Sequence, residues 1–159
     1  MAKELDEIIY DALMADSDIT ELCGYVADTT PARIYSTCVE VPPTDADNTP
    51  LPYIIITDDP LTNEIDSKDD EWESDWDNMQ ASVIINCESP KKVKQLRRKV
   101  RHAIAEYVNS MTDNVPMLRS FSNEGISWDW TKPCYYDTLH YQCAMYIDRE
   151  DDEEEEKEE

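Results

Sequence analysis

Between Cys87 and Pro90 the hydrophobic period of the chain changes from two to about 3.6 residues, and that switch constrains the fold more than any other feature. Before it, Met79, Ala81, Val83, Ile85 and Cys87 alternate with Gln80, Ser82, Ile84 and Asn86, the pattern of a strand with one buried face. After it, Val93, Leu96, Val100, Ala103, Ile104, Tyr107 and Val108 form one apolar stripe of a helix over 89–109. Ser89 is its N-cap and Pro90 occupies the first helical position, where a missing N–H costs nothing. A half-buried strand and an amphipathic helix thus stand next to one another in the chain.

The remaining elements fit that frame. Leu5, Ile8, Ile9, Ala12 and Leu13 predict a helix from about Lys3 to Ala15, and Asp18 with Glu21 predicts a capped short helix stopped by Gly24. Ala32–Ser36 reads as a short strand, and Val39–Val41 leads into a proline-rich loop that ends at Pro52. Tyr53–Thr57 is a strand rich in β-branched residues, closed by Asp58-Asp59-Pro60, and its simplest partner is the strand over 79–87. Thr62–Asp77 reads as a polar, acidic loop or hairpin arm. A turn-rich stretch around Thr112–Pro116 precedes strands at Ile126–Thr131 and Thr138–Asp148. The fold class is therefore α+β, an antiparallel sheet of about four to five strands against an N-terminal helix and one long helix (89–109). It makes one domain over 1–148, and the like-charge run over 149–159 is expected to be a disordered acidic tail.

Composition narrows function mainly by exclusion. The 159 residues carry a formal charge of -23, which argues against general nucleic-acid binding, because phosphate neutralisation needs cations. No apolar run is long enough for a membrane span, and the charged N-terminus is unlike a signal peptide, so a soluble intracellular protein is expected. Five scattered cysteines without a Cys-x-x-Cys pair are read as reduced thiols, with Cys87 and Cys143 on the buried phase of their strands. Gly24 and Gly125 are the only glycines, so no glycine-rich loop can cradle a phosphate. His102 and His140 sit in regular elements without an adjoining catalytic motif. The acidic segment from Asp66 to Asp77 lacks the Asp-x-Asp-x-Asp-Gly spacing of a calcium loop. No catalytic residue, metal or cofactor is assigned, and the expected protein is not an enzyme.

The basic residues are distributed unevenly. Of 14 lysines and arginines, half lie between Lys91 and Arg101 on the long helix. Lys91, Lys94, Arg97, Arg98 and Arg101 are therefore the candidate subunit-interface cations, facing acidic residues of a neighbouring copy, and Trp72 and Trp76 are candidate aromatic anchors. An ordinary solvated helix face, and tryptophans that merely cover the sheet, are the plain alternatives.

In their order, six segments carry a resemblance. They are Ile8–Asp16, Ala32–Tyr35, Thr49–Ile56, Ala81–Cys87, Val93–Val108 and Leu139–Ile147. This order resembles the tail-completion family of long-tailed double-stranded-DNA phages, related in fold to tail terminators, over nearly the whole chain except the acidic tail. The segment Thr62–Asp77 and the tail depart from the pattern. The resemblance implies a homo-oligomeric ring, commonly a hexamer, that joins the tail to the head connector. It further implies contacts with the tail-tube and head–tail connector proteins, no catalytic residues, and a place in the virion tail or neck after assembly in the host cytoplasm. DNA would be only passing cargo in an electronegative lumen. The rival expectation is an acidic DNA mimic that inhibits a host nucleic-acid-binding protein.

Overall fold

The structure, a computed structural model, describes residues 3–39, 41–63 and 76–146. Trp72, most of the acidic segment and the acidic tail, with the domain boundary expected at 148, lie outside the described residues. The elements are α1 (Leu5–Ala15), α2 (Ser17–Leu22), β1 (Ile34–Ser36), β2 (Tyr53–Asp58), β3 (Thr62–Asn63) and β4 (Trp76–Cys87). They continue with α3 (Pro90–Ser110), β5 (Met117–Asn123), β6 (Ser127–Asp129) and β7 (Cys134–Tyr146). The fold is α+β.

One sheet runs in the order β1-β2-β4-β7-β5, with β3 on β4 and β6 on β7, making seven strands among the described residues where about four to five were expected. The pairing of β2 with β4 is as expected: Ile54 faces Ile85 and Ile56 faces Val83. Two features depart from the expected antiparallel sheet. β1 pairs parallel to β2, because the proline-rich link over 37–52 carries the chain back to the same end of the sheet. β5 occupies a stretch that carries no buried alternation, since its residues are nearly all exposed on the sheet's outer edge.

Residues on one phase of the strands meet the helices. Met79, Ala81, Val83, Ile85 and Cys87 of β4 join Leu139, Tyr141, Cys143 and Met145 of β7 and Ile54 and Ile56 of β2. Against them lie Leu5, Ile8, Ile9 and Leu13 of α1, Ile19 of α2, and Val93, Leu96 and Val100 of α3. Each such side chain contributes about 1.5–3 kcal/mol by leaving water. α3 begins as expected, with Ser89 Oγ accepting from the Lys92 N–H at 3.3 Å. The α2 cap differs from expectation: Asp16, not Asp18, accepts the Ile19 N–H, at 3.0 Å. Asp16 stands in the extended conformation that ends α1, so it is the residue free to cap the next helix.

Candidate functional site

α3 packs over β4 and β7 beside β5, while α1 lies over β1, β2 and β4 and α2 packs against both helices. The basic residues therefore belong to the β5 side of the molecule. From Pro90 to Asn123 the only acids are Glu106 and Asp113. The opposite side has the reverse composition, because from Glu4 to Ala32 there is no lysine, arginine or histidine.

The structure divides the candidate cations into two kinds. Lys91, Lys94 and Arg98 are exposed, and among the described residues no ion pair engages them. Their spacing of three and four residues sets them on one outward line of α3. Arg101 lies over the Phe121 ring at 4.2 Å and keeps its charge at the same surface.

Arg97 turns inward instead, which removes it from the proposed interface face. Its Nη1 donates to Asp137 Oδ2 at 2.7 Å, and the Asp137 side chain is fully buried. The same oxygen accepts from Asn123 Nδ2 at 3.0 Å, and Oδ1 accepts from the Gly125 N–H at 2.9 Å. Gly125 has φ 96°, a backbone that favours glycine and aims this N–H at the carboxylate. A buried carboxylate is tolerated only when paired and hydrogen-bonded, and these three donors meet that need while tying α3 and the β5–β6 link to β7. Lys99 and Lys92 are also engaged within the chain, Lys99 with Asp18 at 3.4 Å and Lys92 with Glu88.

Trp76 is paired with Tyr146 across β4 and β7, with ring centroids 5.5 Å apart and both rings part-exposed. The most exposed aromatic among the described residues is not one of the candidate anchors. Trp130, at the turn between β6 and β7, is 86 % exposed and touches Trp128 edge-on. Its position beside the turn signal Thr131-Lys132-Pro133 could have drawn attention to it.

The sheet face away from the helices holds a polar chain. Ser82 Oγ donates to Asp59 Oδ2 at 2.6 Å, His140 Nδ1 lies 2.9 Å from the same Oγ, and His140 Nε2 lies 3.1 Å from Glu124 Oε1. These groups share the types of a serine–histidine–acid triad, and they link Asp59, just past the end of β2, through Ser82 of β4 and His140 of β7 to Glu124.

Two further clusters complete the map. Glu4, Asp6 and Asp58 place carboxylate oxygens within 4.8 Å of one another at the start of α1. Partial burial, reinforced by the facing Asp58, holds the Glu4 and Asp6 carboxyls above the usual carboxylate range. The thiols of Cys23 and Cys143 are pushed up to about 11 and that of Cys87 to about 12 by burial, so they are inert core groups. Cys38 is the exposed cysteine.

Comparison with known proteins adds little to this geometry. No protein-family model matches the chain, and no curated protein matches it. A solved structure titled as the virion of a native gene transfer agent particle aligns over 90 % of this chain and 95 % of its own, with 13 % identity and a TM-score of 0.48. A likeness of that depth carries no argument about activity or partners.

Proposed function

We propose that the protein is a non-enzymatic virion subunit of a tailed phage, a ring-forming tail-completion, tail-terminator or neck protein that joins the tail to the head connector. The observation that supports this reading is the order of elements. An N-terminal helix, a short strand, a proline-rich approach to β2, the long strand β4, the amphipathic α3 and the closing strand β7 follow one another as the family resemblance requires. The role is geometric: a ring, hexameric in this reading, stops growth of the tail tube and presents a docking face to the connector. The negative charge of the chain leaves a lumen that repels the passing DNA and does not retain it.

The test is negative-stain imaging of tail tubes, assembled from the tube protein of the same genome, with and without this protein. Annular caps at one tube end and arrested elongation are the expected result. Tubes that grow on, with bare ends, overturn the reading.

A second reading has one observation in its favour. The acids of α1 and α2 lie on folded helices without an intervening cation, and a folded carboxylate face is what an acidic DNA mimic needs. Under that reading the protein protects plasmid DNA from a host nuclease at stoichiometric amounts and caps no tubes.

A further inference from the structure

We infer that the β5–α3 side of one copy binds the α2–β1 side of a second copy, in a head-to-tail contact between unlike surfaces. This rests on the ring-forming reading only in supplying the contact such a ring needs.

Among the described residues β5 ends the sheet on one side and β1 ends it on the other. Met117 and Leu118 of β5 are 50 % and 61 % exposed. Beside them a groove of about 250 Å³ runs between β5 and the second half of α3, walled by Ile104, Ala105, Val108, Pro116, Leu118 and Phe121. Arg101 also borders it, and Lys94 and Arg98 stand outward on the preceding turns of the same helix.

At the other side, α2 is followed by a tight turn closed by the Val26–Thr30 bridge. Leu22, Tyr25 and Val26 are exposed there, in company with the exposed carboxylates of Glu21 and Asp28. One side thus offers an apolar groove bordered by Arg101 with Lys94 and Arg98 on the turns before it, and the other an apolar turn carrying the carboxylates of Glu21 and Asp28, with the Arg33 guanidinium beside Gly24 and Lys92 and Lys99 beside Glu21. Opposite charges around an apolar centre set orientation and suppress the like-with-like pairing that an isologous dimer would need. A contact between two different patches of one chain repeats from copy to copy and closes into a ring where its rotation permits.

A charge-swap experiment tests this with the full chain. One variant carries Lys94→Glu and Arg98→Glu. The other carries Glu21→Lys and Asp28→Asn, asparagine being chosen because Asp28 has φ 62° and asparagine tolerates that backbone. Circular dichroism confirms that both fold, as expected for exposed sites. Solution mass is then measured by sedimentation at low and moderate salt. Wild type is expected as a multi-copy species that loosens with salt, and each variant alone as the 18.4 kDa monomer. Mixing the two variants restores the multi-copy species, because each reversed side then meets its complement.

Assembly of either variant indistinguishable from wild type overturns the contact, and so does a mixture that stays monomeric. A wild type that is monomeric at hundreds of micromolar overturns it too, while tube capping in that case leaves the virion reading standing. Conversely, charge-swap rescue by a protein that caps no tubes keeps the contact and removes the virion reading.

Discussion

The two faces of the central strands make opposite use of the same backbone. On the helix-covered face of β4, Met79, Ala81, Val83 and Ile85 are all at or below 3 % exposed and belong to the apolar core. On the other face, one residue along, Gln80 and Ser82 look across to Gln142 and His140 of β7, and Ser82 is hydrogen-bonded to His140. The covered face fixes the fold by excluding water, and the open face adds register. Two buried carboxylates, Asp77 and Asp137, are exceptions on the covered face, and the second clarifies the rule. Asp137 is a charge on the covered face, and it persists because Arg97, Asn123 and Gly125 all donate to it.

Breaking that exception should have the largest effect. Arg97→Ala leaves the Asp137 carboxylate buried without its counter-charge and should cost about 3–5 kcal/mol in urea unfolding. Leu139→Ala, a cavity on the covered face opposite Val83, should cost about 2–5 kcal/mol. On the open face Ser82→Ala removes the hydrogen bonds to Asp59 and His140 and little packing, so about 1–2 kcal/mol is expected. A Ser82→Ala cost equal to that of Leu139→Ala would erase the distinction between the faces.

The smallest effect lies at the rim of the covered face, where Asp58 crowds Glu4 and Asp6. Because burial and Asp58 raise these two carboxyls in the folded protein, the folded state binds protons more readily than the unfolded chain there. Their favourable contribution is present in acid and is lost as pH rises through the raised folded values. Asp58→Asn should therefore stabilise the protein by about a few tenths of a kcal/mol at neutral pH. The gain should shrink as pH falls through the carboxylate range, measured as a difference from wild type in matched melts.

How far the sequence could be read follows from where each signal resides. The alternation in β4 and in β7, and the Ser89-Pro90 start of α3, are local, and each appears in the structure close to its expected bounds. β5 was invisible because an edge strand has no buried phase to alternate, and the parallel β1 because its partner is chosen by distant packing. Among the candidate cations the helix phase held a usable clue. Arg97 follows Leu96 and stands four residues after Val93, on the margin of the apolar stripe, whereas Lys91, Lys94 and Arg98 lie well outside it. Its partner Asp137 could not be foreseen, since that pairing depends on β7 lying beneath α3. Trp72 lies outside the described residues, and Trp130 escaped attention because exposure is not written in residue type.

β7 sits in the interior of the sheet, between β4 on one side and β5 and β6 on the other, although β1 to β6 all precede it in the chain. During synthesis β4 therefore leaves the ribosome with one flank open and must wait, through all of α3, β5 and β6, for its principal partner. Pairing Val83 with Leu139 closes that long excursion in one step, which places the entropic barrier late and makes folding slow for a chain of this size. Until then the apolar flank of β4 is open to the same flank on a neighbouring nascent chain, so expression at reduced temperature or synthesis rate should favour soluble protein over aggregate.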